Sequence, residues 1–142
     1  MTIVRVLSVR QPWAELILSG RKDIEIRTWK TNYRGRVFIH AGKQVDKEAL
    51  NEMPAEWIPQ FLPIGYLLGF VELVEIKAYD RTDFERDKER HYNDPKWYNG
   101  RQYGWVFRKH HKIVPLEMKG KLRLFKADID TVEISKGCPV RL

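Results

Sequence analysis

Residues 64–76 form the longest strand candidate in the chain, an apolar run rich in Leu, Val, Phe and Ile with a glycine at position 69. Glycine inside a strand offers no side chain to pack and marks a bulge or a sharp bend. A sheet whose longest strand bends in this way curls, and a curling sheet points to barrel closure.

The flanking sequence supplies further short strands and few helices. Ile3 to Val9 alternates aliphatic residues with Arg and Ser, the pattern of a half-buried first strand. Pro12 stands where a helix begins, Trp13, Leu16 and Ile17 follow at helical spacing, and Gly20 is placed to end it. In Ile24 to Trp29 the alternation puts Ile24 and Ile26 on one strand face and Glu25 and Arg27 on the other. Tyr33-Arg34-Gly35 reads as a turn, and Arg36 to His40 as a strand. Asp46 to Met53 has the acidic cap and first turn of a helix stopped by Pro54, and Trp57 to Pro63 is a proline-punctuated loop. Thr82 to His91 reads as a charged, solvated helix and Asn93 to Arg101 as a loop, both peripheral. Tyr103 to Phe107, Ile113 to Leu116 and Leu122 to Ala127 are three more strands, with Lys119-Gly120-Lys121 as a turn. The predicted class is α+β, a small barrel of about five to six curled strands with two to three short peripheral helices. A single domain over residues 1–142, 43% apolar, is long enough for one core.

Charge is uneven along the chain. Residues 1–43 hold nine Lys and Arg against Glu15, Asp23 and Glu25, a net of +6 in a chain of formal charge +7, while the remainder has 17 basic against 16 acidic residues. Positive charge concentrated in one segment is the footprint of a surface that meets phosphates, set against the plainer reading of a solvated basic face. No apolar run is long enough for a membrane helix and the N-terminus goes straight into strand-like sequence, so a cytoplasmic protein is expected. Cys138 is the one cysteine, which excludes an internal disulfide and a cysteine-rich zinc site. His110 and His111 would point to opposite faces of a strand, so no metal and no other cofactor is expected.

Lys22, Glu25 and Arg27 place charges of mixed sign on one spot. Such a cluster can grip a base edge, with Arg and Lys donating to oxygens and Glu accepting from an exocyclic amine; the alternative is an ordinary ion pair worth about 0 to 1 kcal/mol. The candidate nucleic-acid contacts are Arg10, Gln11, Lys22, Glu25, Arg27, Trp29, Tyr33, Arg34, Arg36, His40 and Lys43. Trp29 and Tyr33 are expected to be exposed for stacking, and Trp13 and Trp105 to be core. His40 could contact a phosphate or act as a general base, against the structural role that most lone histidines have.

Several of these segments together resemble a known family. Ser8 to Trp13, Gly20-Arg21-Lys22 with Glu25 and Arg27, Tyr33-Arg34-Gly35, Pro63-Ile64-Gly65 with Gly69, Tyr103 to Val106, and Lys119-Gly120 with Leu124-Phe125 are similar to the ASCH domain of the PUA-like superfamily. The resemblance implies a PUA-like β-barrel with a basic cleft for RNA or DNA. It also implies a catalytic branch, the bacterial acetylcytidine amidohydrolases, which use a Lys, a Thr and a Glu. The Lys falls on Lys22, while the place of the nucleophilic Thr is taken by Glu25. Thr28 in an extended strand would lie on the face opposite Glu25, and Glu72 is the candidate for the Glu of a later strand. A nucleic-acid-binding module built from residues 10–43, with RNA favoured over DNA and a monomer favoured, is the leading expectation. A hydrolase of a modified nucleoside or a weak ribonuclease, with Lys22 and Glu25 as catalytic residues, is the alternative, and an interaction domain for an acidic protein is a third.

Overall fold

The structure is a computed structural model that describes residues 1–129; Cys138 lies outside them. In chain order the elements are β1 (Thr2–Gln11), α1 (Trp13–Leu18), β2 (Ile24–Arg27), β3 (Gly35–Val45), α2 (Lys47–Glu52), β4 (Tyr66–Tyr79), α3 (Arg81–Arg86), α4 (Lys88–His91), β5 (Gln102–Glu117) and β6 (Leu124–Ile129). The six strands form one sheet in the order β2-β5-β4-β3-β1-β6. Neighbours are antiparallel except β1 and β3, which run parallel with Ser8 beside His40.

Gly69 is where the sheet bends. The register of β4 slips at this point by one residue against β3 and by two against β5, and a Cβ on Gly69 would collide with the His111 carbonyl of β5. Two further slips between β4 and β5 increase the local twist. The curl brings edge strand β2 round to β1, four places away in the sheet order, where Arg27 Nη2 donates to the Ser8 carbonyl at 2.9 Å. That carbonyl is available because the β1–β6 ladder ends at Leu7 and Leu124.

Both faces of the central strands are covered, which alters the expected half-buried pattern. Leu7, Val9, Val37, Ile39, Leu73, Trp105 and Phe107 pack around α1 through Leu16 and Ile17, while Val6, Phe38, Phe70, Ile113 and Phe125 form a second cluster. The neighbours Val6 and Leu7 are therefore both fully buried, as a strand covered on two faces requires.

Three expectations need correction. The longest strand is β5, of 16 residues, which joins the segments read as separate strands. The charged run from Arg108 to Lys112 hid their continuity, because backbone pairing with β4 carries on whatever the side chains are. Pro12 is the N-cap of α1, one position ahead of the first helical residue, after a cis Gln11–Pro12 bond. The segment from Thr82 to His91 is two short helices and not a peripheral one. Phe84 and His91 are fully buried, and Asp87 accepts from the Tyr79 hydroxyl at 2.5 Å. Burial, with the Asp87 carboxylate beside it, raises the Tyr79 phenol above its ordinary range.

Candidate nucleic-acid interface

The end of α1 aims the first site residue. Gly20, at φ +85°, reverses the chain, and the Lys22 amide then donates to the Leu16 carbonyl at 2.9 Å, sending the lysine side chain inward. Lys22 is 1% exposed, and its Nζ donates to the His91 carbonyl at 2.6 Å, lies 3.4 Å from Glu25 Oε1 and sits 4.8 Å from the centre of the Trp13 ring. Burial pulls its ammonium below the ordinary value, the Glu25 carboxylate opposes that shift, and Arg27 adds to it.

Glu25 is 8% exposed and lies between two cations. Its Oε2 accepts from Arg27 Nη2 at 2.9 Å and from Nε at 3.1 Å, while Oε1 faces Lys22. The alternation expected of β2 holds, since Ile24 and Ile26 pack with Phe84, Tyr79 and Val106 on the other face. The charged face is itself covered, so Glu25 and Lys22 are interior groups.

These side chains line a cleft of about 600 Å³ together with Ser8, Arg10, Trp13, Thr28, Trp29, Asp46, Glu48, Asn93, Trp97 and Gln102. Its charges balance, with Arg10, Lys22 and Arg27 against Glu25, Asp46 and Glu48. All six are ion-paired, because Asp46 holds Arg10 at 3.7 Å and Glu48 holds Lys96 at 3.5 Å. The cleft is therefore polar and nearly neutral, unlike the basic cleft that the resemblance implied.

The remaining predicted residues are dispersed. Trp29 is half-buried at the cleft, edge-on to Trp105 at 4.8 Å, with its carbonyl accepting from Trp105 Nε1. Gln11 is fully buried and structural: its Nε2 donates to the Pro63 carbonyl and its Oε1 accepts from the Glu15 amide, which leaves no face for a nucleic acid. Because β1 and β3 are parallel, Tyr33, Arg34 and Arg36 at the start of β3 lie at the opposite end of the strands from Arg10. There the Tyr33 hydroxyl donates to the Arg36 carbonyl, Arg34 donates to the carbonyls of Thr31 and Tyr33, and Arg36 covers the Phe70 ring. His40 is buried in the middle of β3, and it borders, with Lys43, a second groove beside the cleft.

Some contributors escaped sequence reading. Asn93 and Trp97 come from the loop read as peripheral and Gln102 from the residue just after it, the first of β5; a tryptophan within a turn-rich loop was the available signal. Thr28, just past the end of β2 at Arg27, is also among the cleft-lining residues, as is its neighbour Ile26. Glu72 is on a different part of the surface, 3.4 Å from Lys109. Among the described residues no group of three or more His, Cys, Asp or Glu is placed to hold a metal, and no helix is long and apolar enough to cross a membrane.

A curled, six-stranded mixed sheet with this arrangement of short helices is a PUA-like fold. Crystal structures of the ASCH protein of Zymomonas mobilis, in wild-type form and as a single-substitution mutant, superpose with TM-scores of 0.64 and 0.63 at 17% and 18% identity. They cover 93% of this chain and 91–92% of theirs, a likeness of fold. The ASCH domain profile matches residues 7–120, and the chain belongs to that family. Activating signal cointegrator 1 of mouse and of human are each 38% identical over 79 residues, which is 49% of this chain but 14% of those proteins.

Proposed function

We propose that the chain is a nucleic-acid-binding module, RNA ahead of DNA, whose cleft receives one unpaired base. The observation that carries this reading is the charge-balanced cleft with Lys22, Glu25 and Arg27 on its floor and the half-buried Trp29 and Trp97 on its walls. A phosphate would find its cationic partners already neutralised, whereas a planar, uncharged, polar ring finds both donors and an acceptor. Trp97, whose ring has no aromatic or cationic partner among the described residues, offers a face for stacking worth about 1 to 3 kcal/mol per base, while the Trp29 ring beside it already carries Arg123. Unpaired bases splayed from loops and single strands are the usual substrates of sequence-reading RNA modules.

The test is a binding titration over several salt concentrations with single-stranded RNA, duplex RNA and DNA hairpins, run on the wild type and on Trp97→Ala. Tighter binding to unpaired segments, weakened by the substitution, is expected. Equal binding to duplex and single strand, unchanged by the substitution, would overturn the base-in-cleft reading.

One observation favours a second reading. Thr28 is among the residues that line the same cleft as Lys22 and Glu25, and a hydroxyl beside a Lys and a Glu is the mixture of groups that a hydrolase of a modified nucleoside would use. Acetate release from acetylcytidine by the wild type, lost in the exposed-site variant Thr28→Ala, would establish that activity; no release from the wild type would remove it.

A further inference from the structure

A second groove, of about 580 Å³, meets the cleft at Ser8 and Arg10, the residues common to both. Its charged lining is Arg10, Lys43, Lys119 and Lys121, with no carboxylate. All four are exposed, and among the described residues Lys43, Lys119 and Lys121 have no ion-pair partner. This is the reverse of the cleft, where every cation is held by an acidic side chain.

Lys119 and Lys121 are set in place by a part-buried chain of hydrogen bonds. His40 Nε2 lies 2.7 Å from the Met118 carbonyl, which can only accept, so that nitrogen bears the proton. Nδ1 is then the acceptor for the Ser8 hydroxyl at 2.9 Å. The imidazole is 2% exposed, and burial holds it below its ordinary value, in keeping with a neutral ring. Gly120 packs directly on this pair, since a Cβ there would come within 2.5 Å of Ser8 Oγ and 2.9 Å of the His40 ring. The Met118 amide adds a bond to the Gly65 carbonyl at 3.1 Å. The turn is thus pinned on both sides of its backbone, which holds Lys119 and Lys121 beside the groove. Leu122, 91% exposed, stands between Lys121 and Arg123, whose guanidinium lies 5.2 Å from the centre of the Trp29 ring at the cleft. The same turn therefore reaches from one depression to the other.

We infer that this second groove is the track for the phosphate backbone of the strand whose base occupies the cleft, an inference that rests on the reading proposed above. Unpaired cations gathered in one groove release counterions when phosphates bind, whereas carboxylate-paired ones contribute little. Neutral recognition in the cleft and charge-driven binding in the groove then divide the work between two adjacent sites.

The experiment measures binding of a mixed-sequence single-stranded RNA over a salt series. The proteins are the wild type, the triple variant Lys43→Gln/Lys119→Gln/Lys121→Gln, the control Lys88→Gln/Lys126→Gln at two exposed lysines that line neither depression, Gly120→Ala, and Trp97→Ala, with circular dichroism to confirm folding. Three lost phosphate contacts should flatten the log-affinity against log-salt slope by about two units and weaken binding by about tenfold or more at moderate salt. The control should keep the wild-type slope. Gly120→Ala should weaken binding with all lysines present, because the turn that carries them is displaced. An unchanged slope in the triple variant, with binding lost in Trp97→Ala, would overturn the track and leave the base-in-cleft reading standing. No RNA binding by the wild type would remove both. Poly-glutamate bound as tightly as RNA of equal charge would reassign the groove to an acidic protein and overturn the inference.

Discussion

Lys22 Nζ donates to the backbone carbonyl of His91 at 2.6 Å, a contact that spans the site and the helical segment after β4. His91 is itself held from both sides, its Nε2 donating to the Phe84 carbonyl and its Nδ1 accepting from the Asn93 amide. The segment that delivers Asn93 and Trp97 to the cleft is therefore fixed to the lysine on the cleft floor.

Stability should depend on pH through His91. Burial pulls its imidazole down from 6.5 to about 4, and the charge of Lys22 acts in the same direction. Above 6.5 the ring is neutral in both states and its contribution is fully present. As pH falls from 6.5 toward 4 the unfolded chain takes up a proton that the folded chain refuses, so stability drops, by up to about 3 kcal/mol. His40, also shifted down, adds with the same sign. The Asp83 and Asp87 carboxyls, both lowered from 3.8, act below this window. Urea midpoints between pH 7 and 4.5 check this, and His91→Asn should flatten the dependence while lowering stability at pH 7.

Glu25→Gln should be more damaging than Lys22→Met. Removing the carboxylate leaves two cations without their counter-charge, one of them fully interior, and breaking a buried pair in that way costs about 3 to 5 kcal/mol. Replacing Lys22 by an apolar side chain of similar length removes the buried charge and leaves Glu25 bonded to Arg27, so the loss should be smaller. The ordinary ion pair that the sequence left as the alternative would have made replacement of Glu25 nearly neutral. Equal denaturation midpoints for Glu25→Gln and the wild type would show that the pair is solvated after all.

The aromatic walls of the cleft make a separable prediction. Trp97→Ala should weaken binding of single-stranded RNA by about 1 to 3 kcal/mol, and Trp29→Ala by less, because Arg123 and Trp105 already occupy that ring. Trp57→Ala is the comparison, because Trp57 is half-buried against Tyr92, centroids 5.6 Å apart, and does not line the cleft. Fluorescence titrations of the three variants decide it; similar losses in all three would mean a general effect on stability.

Gly69→Ala should destabilise the fold by about 2 kcal/mol or more, since the added methyl group meets the backbone of β5, which cannot rotate away as a side chain could. Thermal denaturation reads this directly. A change of only a few tenths of a kcal/mol would mean that the bend at β4 has room to open.

Much of this protein is determined locally. The curl at Gly69, the reversal at Gly20, the Asp46 cap and the two faces of β2 all follow from the backbone freedom of glycine, the reach of a short acidic side chain and the period of two in a strand. The grouping of Lys22, Glu25 and Arg27 is legible for the same reason, because three residues on one short segment need no long-range contact to meet. What those residues meet is decided only by tertiary structure. The burial of Lys22 depends on His91, 69 residues away, and the neutrality of the cleft depends on Asp46 and Glu48 arriving from α2 and its cap. The stretch from Arg10 to Lys43, net basic along the chain, is divided between opposite ends of the sheet, because β1 and β3 run parallel and carry Arg10 and Arg36 away from each other. Net charge counts residues along a chain, whereas a phosphate responds to where the unpaired charges stand in space, and the pairing of strands sets those positions.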